Sequence, residues 1–383
     1  MHKLLSILLL AGSFSASAQH KVFLRLMTTP AQSRDSVYFA GPQNNWNPSD
    51  ERYRLRQVDS GSQGIMLTLP PGPLSFKLTN GSWDRVETGA AGEDRPNRTI
   101  LIAGDTLVEL RVEGWKHRFA PKPKVSTASA NVRILDTAFY IPQLNRHRRI
   151  WIYLPPSYAT SRASYPVLYM HDGQNLFDES TGFSGEWGVD EALDTLGRKY
   201  GEAIVVGIDH GGATRINEYS PYDMARFGKG EGAQYVDFLV QTLKPWIDAR
   251  YRTSRRPLET YTAGSSMGGL ISMYAILRYP DVFGGAGVFS PAFWVAPDIQ
   301  KDVLRQGSRV RGRLYFYAGE KESKEMVPDM ERIARLLRQL SKGPMATVVR
   351  PEGQHREADW RREFPLFYQW LMKRPPVRPM PKF

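Results

Sequence analysis

The sequence predicts an α/β protein in which a mostly parallel, helix-covered sheet follows a smaller amino-terminal antiparallel β-sandwich. Two observations lead to this prediction. Early in the chain, short runs of alternating apolar residues are separated by turn-forming clusters, a pattern typical of antiparallel strands with one buried face. Later, continuous apolar runs alternate with amphipathic stretches, as expected for buried parallel strands and the helices that cover them.

The first segment of the chain, residues 1–18, has the pattern of a secretory signal. A short basic start precedes an apolar run at residues 4–11 and small residues at 16–18, so we expect cleavage before Gln19. The apolar run is too short to span a membrane. The sequence contains no cysteine, which excludes disulfides and thiolate metal sites. We therefore expect a periplasmic or secreted protein without a membrane span.

The charge balance is strongly basic, with a formal net charge of +12 at pH 7. The basic residues are scattered, with only short clusters such as residues 145–149. We interpret them as a solvated basic surface and expect no nucleic-acid partner. An anionic substrate or a polyanionic cell surface is the alternative.

The predicted β-sandwich covers residues 19–115, and residues 116–131 follow as a predicted linker. The linker is rich in Pro, Lys, Ser and Ala and shows no apolar period, which indicates an interdomain connection. Alternating apolar positions in the sandwich are Val37/Phe39, Ile65/Leu67/Leu69, Leu74/Phe76/Leu78 and Val108/Leu110/Val112.

Residues 132–383 form the predicted α/β domain. Helices are expected at residues 231–251 and 330–343, among others, because apolar side chains recur there with helical spacing. Predicted buried strands lie at 148–156, 165–173, 202–209, 258–264, 284–290, 313–319 and 345–353.

A candidate nucleophile lies between one of these strands and a helical stretch. The pattern G-x-S-x-G is completed by Ser266, with Gly264 and Gly268 on either side. In a strand–turn–helix setting the glycines permit a strained turn that lifts the serine hydroxyl above the sheet edge. Ser265 lacks glycines at these offsets, so we interpret it as a packing residue.

A base and an acid follow Ser266 in the order expected for such a site, serine, acid, histidine. His355 is the only histidine after Ser266, and it follows the last predicted strand. Glu320 and Glu322 both follow the strand at 313–319. The sequence favours Glu322 as the residue that orients the imidazole, with Glu320 as the alternative.

An oxyanion hole needs two backbone N–H groups. One is expected from Met267, which follows the nucleophile, and the other from Gly173 or Gln174 in the loop after the strand at 165–173. In the same loop His171 and Asp172 are adjacent, and neighbouring residues at a strand end point to opposite sides. We interpret these two as shaping the loop rather than taking part in the chemistry.

No cofactor or metal is expected. The glycines at residues 284–287 lie inside a predicted strand and lack the full dinucleotide-binding fingerprint. The seven histidines are dispersed, and none belongs to an H-E-x-x-H pattern.

From about residue 132 to residue 373 the chain resembles the esterase family of α/β-hydrolases, which groups esterase D, feruloyl esterases and enterochelin esterases. The resemblance implies the α/β-hydrolase fold, with Ser266 as nucleophile and His355 as base. It is carried by "RRIWIYLPPSY", "YPVLYMHDGQNLFD", "GIDHGGATRINEYSPY", "AGSSMGGLISMYAILRYPDVFGGAGVFSPAFW" and "EGQHREADWRREFP".

The first domain resembles the β-sandwich modules that bind starch and glycogen, through "VYFAGPQNNWNPSD", "LSFKLTNGSWDRVE" and "EDRPNRTI". This resemblance implies that Trp46 and Trp83 stack on sugar faces and that the domain binds polysaccharide. The alternative is that both are core tryptophans of a small sandwich.

Together these observations predict an exported serine carboxylesterase that hydrolyses an acyl or feruloyl ester on a carbohydrate. Trp187, Phe293 and Trp294 are expected to line the acyl pocket. A periplasmic esterase for a ferric catechol-trilactone siderophore is the alternative that the basic charge favours. A non-enzymatic glycan-binding protein is the alternative from another class.

Overall fold

A computed structural model of the chain describes residues 19–27, 36–120, 125–182 and 185–373. Backbone contacts divide the chain into two units, Met1–Pro123 and Lys124–Phe383. The predicted signal segment, residues 1–18, lies outside the described residues. Among the residues that are described, no helix has the length and apolar character needed to cross a membrane.

The first unit is built from short strands whose alternating apolar side chains share one core. Val22, Leu24 and Leu26 of its first strand and Phe76 of its fifth are buried in this core. The strands pair in the orders β3-β4-β1-β8, β2-β5-β7 and β6-β9. Its described strands are β1 (His20–Met27), β2 (Tyr38–Ala40), β3 (Arg56–Asp59), β4 (Ser62–Leu69), β5 (Gly72–Thr79), β6 (Glu87–Thr88), β7 (Arg98–Ile102), β8 (Thr106–Leu110) and β9 (Gly114–Trp115).

These sheets are antiparallel, as the sequence predicts, except at one strand pair. β1 pairs antiparallel with β4 but parallel with β8. Alternation of apolar residues reports which face of a strand is buried and carries no information about strand direction, so this pairing was not predictable from the pattern.

The second unit contains an eight-stranded sheet in the order β10-β11-β13-β12-β14-β15-β16-β17. The pairs β10–β11 and β11–β13 are antiparallel, and all later pairs are parallel. The predicted architecture, a mostly parallel, helix-covered sheet after a smaller antiparallel unit, is confirmed. The strands are β10 (Val132–Ile141), β11 (Arg146–Tyr153), β12 (Val167–His171), β13 (Ile204–Ile208), β14 (Thr260–Ser265), β15 (Gly285–Phe289), β16 (Arg313–Gly319) and β17 (Met345–Arg350).

Helices cover both faces of this sheet. Residues of α3, α5, α6 and α7 pack in one apolar cluster, and residues of α1 and α8 pack in the other. A π turn, Leu239–Leu243, joins α3 to α4. The helices are α1 (Val189–Tyr200), α2 (Arg215–Glu218), α3 (Gly232–Phe238), α4 (Lys244–Arg250), α5 (Met267–Arg278), α6 (Ile299–Gln306), α7 (Met326–Leu340) and α8 (Glu357–Met372).

Strand β13 shows why the predicted strands are continuously apolar. Ile204, Val206 and Ile208 belong to the first cluster, whereas Val205 belongs to the second. Successive side chains of a strand point to opposite faces, so a strand covered on both faces must be apolar at every position. Because the parallel strands share one direction, the polar residues that follow them lie at one edge of the sheet.

The end of the predicted linker is fixed to the second unit by polar contacts. Residues 126–131 run along acidic residues that precede α1 or lie in it, and this explains why the segment shows no apolar period although it is held in place. The hydrogen bonds are Ser126 Oγ to Asp178 Oδ2 (2.7 Å), Thr127 Oγ1 to Glu186 Oε2 (2.9 Å), Ser129 N to Asp190 Oδ2 (2.7 Å) and Asn131 Nδ2 to Asp194 Oδ1 (2.7 Å). Of the remaining linker residues, Lys116–Arg118 form a 3₁₀ turn and 121–124 lie outside the described residues.

Asp190, which accepts the hydrogen bond from Ser129, is expected to make the stability of the fold depend on pH. Burial and the neighbouring Glu191 together raise the pKa of Asp190 to about 7, against the lowering effect of the Ser129 amide. A carboxyl with a higher pKa in the folded chain than in the unfolded chain stabilises the fold when protonated, and this contribution is lost as the pH rises through about 7. Between about pH 5 and 8, Asp190 should lower the unfolding free energy of the unchanged chain by about 2 kcal/mol. We expect this part of the decrease to be absent in Asp190→Asn, as measured by urea denaturation across that pH range. A pH profile identical to that of the unchanged chain would contradict this assignment.

Candidate active site

Ser266 occupies a strained turn between β14 and α5. Its backbone angles are φ 59° and ψ −120°, a conformation that costs a non-glycine residue about 1–3 kcal/mol. Neighbouring backbone groups hold the turn, because Ser266 N donates to the carbonyl of Phe289 at 2.9 Å and Ala292 N donates to the carbonyl of Ser266 at 3.0 Å. The serine therefore stands at the carboxyl edge of the sheet, directly before the amino terminus of a helix.

Gly264 and Gly269 lie close to other backbone groups, whereas Gly268, the second glycine of the motif, faces the side chains of His171 and Asp172. A Cβ atom on Gly264 would lie 3.0 Å from the backbone of Gly268, and one on Gly269 would lie 2.7 Å from the carbonyl oxygen of Phe289. The adjacent Ser265 is buried, whereas Ser266 is partly exposed and lines a cavity. The structure thus gives the two serines different surroundings.

His355 and Glu322 form a hydrogen-bonded pair that lines the same cavity as Ser266. His355 Nδ1 lies 2.7 Å from Glu322 Oε2, and the Glu322 side chain is 1% exposed. The other carboxylate oxygen accepts hydrogen bonds from Gly319 N and Ser290 Oγ, each at 2.7 Å. Glu320, the alternative acid, is exposed. The geometry pairs the histidine with Glu322.

Two residues that support this pair were not identified from the sequence, Ser290 and Trp360. Ser290 is buried with φ 42°, and the indole Nε1 of Trp360 donates to its Oγ at 2.9 Å. The Trp360 ring also stands edge-on to the His355 ring, with 5.1 Å between centroids. A usable signal was the position of Ser290 directly after β15, because the carboxyl ends of neighbouring parallel strands meet at one edge of the sheet.

A cavity of about 440 Å³ opens beside the serine, which is within the usual size range of small-molecule sites. Trp294 provides the largest aromatic surface there and is 54% exposed. Met326 adds a second apolar side chain. The full lining is Ser266, Trp294, Glu322, Ser323, Glu325, Met326 and His355.

Only one of the three aromatic residues expected in the acyl pocket lines this cavity. Trp294 does, whereas Phe293 is fully buried in the core. Trp187 is also buried and packs on Phe289 and Trp360, with ring centroids 4.9 and 5.7 Å apart. The expectation for Phe293 and Trp187 is therefore corrected, because loop sequence does not show which aromatic side chains turn inward.

The predicted oxyanion loop lies at the end of β12, the strand that pairs with β14. Gly173 and Gln174 are buried and begin a 3₁₀ turn, Gly173–Asn175, and Met267 is the first residue of α5. The first N–H groups of a helical turn have no partner within that turn. A Cβ atom on Gly173 would lie 2.9 Å from Asp209 N, so this position requires glycine.

His171 and Asp172 are held away from acid–base chemistry by their partners. Burial lowers the pKa of His171 to about 4, and its ring nitrogens contact Tyr235 Oη at 2.9 Å and Thr262 Oγ1 at 3.2 Å. Asp172 accepts two hydrogen bonds from Arg215, at 2.6 and 2.8 Å. These contacts agree with the interpretation that both residues shape the loop.

The two tryptophans considered for glycan binding lie outside the core of the first unit. Trp83 is 37% exposed and begins a 3₁₀ turn, and Trp46 is half-buried with φ 58°. Trp115 is the buried tryptophan of this core. The structure therefore does not place Trp46 or Trp83 as core residues, and glycan binding stays a prediction.

Comparison with known proteins gives a family match within the second unit and similar solved structures, some of which cover most of the chain. A family model described as "Putative esterase" matches residues 141–370. The uncharacterized protein YbbA of Bacillus subtilis (strain 168) is 31% identical over 191 residues, which are 47% of this chain and 70% of that protein.

Two solved structures are similar in fold. The enterobactin esterase FES from Shigella flexneri has a TM-score of 0.52 at 16% identity, covering 92% of each chain. A ferulic acid esterase has a TM-score of 0.50 at 19% identity, covering 63% of this chain and 98% of the other.

Proposed function

Because the chain belongs to the esterase family and is a carboxylic ester hydrolase, we propose that Ser266, His355 and Glu322 are its catalytic triad. The observation that carries the proposal is the hydrogen-bonded His355–Glu322 pair on the cavity that Ser266 also lines. Serine, histidine and acid in this arrangement are the recurring solution for activating a hydroxyl nucleophile.

The geometry suits a two-step acyl transfer. His355 donates its Nδ1–H to Glu322, which leaves Nε2 to take the proton of Ser266 Oγ as that oxygen attacks the ester carbonyl. The same proton passes to the leaving alcohol, and an acyl-serine forms. Water then attacks the acyl group, again giving its proton to Nε2, and the carboxylic acid leaves as Ser266 recovers its proton.

The negative oxygen formed in each step needs donors that are already in place. The N–H groups of Met267 and of Gly173 or Gln174 supply them in this proposal. The support is that each group begins a helical turn at the carboxyl end of one of two paired strands, β12 and β14. Electrostatic stabilisation of this kind contributes about 10²- to 10³-fold for each donor.

For the substrate, we propose an acyl or feruloyl ester, with a carbohydrate as the alcohol. The half-exposed ring of Trp294 and the side chain of Met326 give the cavity an apolar surface suited to a flat acyl group. Aromatic rings gain about 0.5–1.5 kcal/mol from ring contact beyond the burial of area.

We expect Trp294→Ala to reduce kcat/KM for a feruloyl ester about tenfold more than for an acetyl ester of the same alcohol, because only the feruloyl ring loses a stacking partner. The measurement is a pair of progress curves on the two esters. Leu304→Ala is a matched control, since Leu304 is also an exposed apolar residue but does not line the cavity. Equal losses on both esters would exclude Trp294 as an acyl-binding residue.

Hydrolysis of a ferric catechol-trilactone siderophore is the second candidate function. Two observations favour it, the net charge of +12 and the fold similarity to an enterobactin esterase over 92% of each chain. Side-by-side assays on a feruloylated oligosaccharide and on a catechol trilactone separate the candidates. If kcat/KM were at least a hundredfold higher for the trilactone, the trilactone would replace the carbohydrate ester as the proposed substrate.

A further inference from the structure

The cavity beside Ser266 carries a carboxylate that the proposed chemistry does not use. Glu325 lines the cavity and directly precedes α7. Its side chain is exposed, and no hydrogen bond or ion pair joins its carboxylate to another described residue. The other carboxylate of the lining, Glu322, is occupied by His355.

The basic residues of the chain do not balance this charge at the cavity. The lining contains serine, tryptophan, methionine, histidine and glutamate, and none of its described residues is lysine or arginine. The described side chains that line the cavity therefore contribute negative charge, although the whole chain has a net charge of +12. An unpaired charge at the wall of a cavity acts on a ligand more strongly than one on an open surface.

We propose that Glu325 is a specificity-determining residue that selects neutral or cationic acyl groups and disfavours anionic ones. The inference rests on the proposed esterase site, because it concerns the acyl group that Ser266 would accept. Across a cavity of this size, two unit charges at an intermediate effective dielectric interact by enough to change relative rates about five- to tenfold. Glu325 also repels the oxyanion formed during acyl transfer, but this effect is common to all esters and cancels in a ratio.

The test uses three esters of 4-nitrophenol with rigid benzoyl groups, which carry a para methyl, carboxylate or trimethylammonio substituent. For each protein variant the kcat/KM of the charged ester is divided by that of the methyl ester, and the ratios are compared between variants, so that intrinsic reactivity cancels. We expect Glu325→Gln to raise the ratio for the anionic ester about five- to tenfold and to lower the ratio for the cationic ester by a similar factor. Glu325→Lys should extend both changes, and 1 M salt should shrink them.

Glu331→Gln is the matched control. Glu331 is an exposed carboxylate of α7 outside the cavity lining, and its replacement changes the net charge by the same amount, so its ratios should equal those of the unchanged chain. Equal ratios in the Glu325 and Glu331 variants, with the methyl ester still hydrolysed, would overturn this inference alone. Failure of the unchanged, folded chain to hydrolyse any of the three esters would overturn the proposed function and this inference with it.

Discussion

Replacing Ser266 with alanine is expected to lower kcat for ester hydrolysis by about 10³- to 10⁶-fold, the range found when a triad nucleophile is removed. The reason is that no other hydroxyl on the cavity is held at the amino terminus of a helix in a strained turn. Hydrolysis of a 4-nitrophenyl ester, followed to single-turnover sensitivity, measures the loss.

Ser265→Ala is the control for this result. Ser265 is the last residue of β14 and is buried, so its hydroxyl has no access to an ester in the cavity. We expect this variant to keep at least about a third of the activity, with any loss arising from packing. If Ser265→Ala abolished hydrolysis and Ser266→Ala kept it, the nucleophile assignment would be wrong.

The second large effect is expected at Glu322. Glu322→Gln should lower kcat by about 10²- to 10⁴-fold, because the amide cannot stabilise the imidazolium that forms during acyl transfer and can donate to Nδ1, which favours the wrong tautomer of His355. KM should change little, since the Glu322 side chain is only 1% exposed and its carboxylate is occupied by His355, Ser290 and Gly319. Steady-state kinetics on a neutral ester separates the two parameters.

Glu320→Gln is the matched control for Glu322. The two residues lie in the same loop, but Glu320 is exposed and Glu322 makes three hydrogen bonds, to His355, Ser290 and Gly319. We expect Glu320→Gln to stay within about twofold of the unchanged chain. Similar losses in both variants would show that the charge of the loop, rather than the contact with His355, is what matters.

The residues of the candidate triad were predictable because each depends on local sequence and chain order. Ser266 lies in a short G-x-S-x-G motif between an apolar strand pattern and a helical pattern, and His355 is the only histidine that follows it. The choice between Glu320 and Glu322 was not decided by sequence, since both follow the same strand. Only the folded loop shows which carboxylate turns inward.

The cavity wall was harder to predict, because side-chain direction in a loop depends on tertiary packing. Phe293 and Trp294 are adjacent and both aromatic, yet one is fully buried in the core and the other is 54% exposed at the cavity. Glu325 and Met326 were also missed. Met326 begins α7 and Glu325 directly precedes it. Their place on the cavity with Ser266 depends on the order of β14, β15 and β16 in the sheet, which the pattern of apolar residues does not give.

The polar contacts of residues 126–131 bear on how this chain can be recombined with others. A swap that replaced the first unit with an unrelated module would keep the esterase unit intact only if its junction lay ahead of Ser126, since Ser126, Thr127 and Ser129 supply partners to three carboxylates. A junction at residue 132 would remove these partners and leave the carboxylates of Asp178, Glu186 and Asp190 facing water or one another. The part of the chain that an intact esterase unit requires therefore begins at Ser126, several residues before β10, although this segment has the composition of a linker.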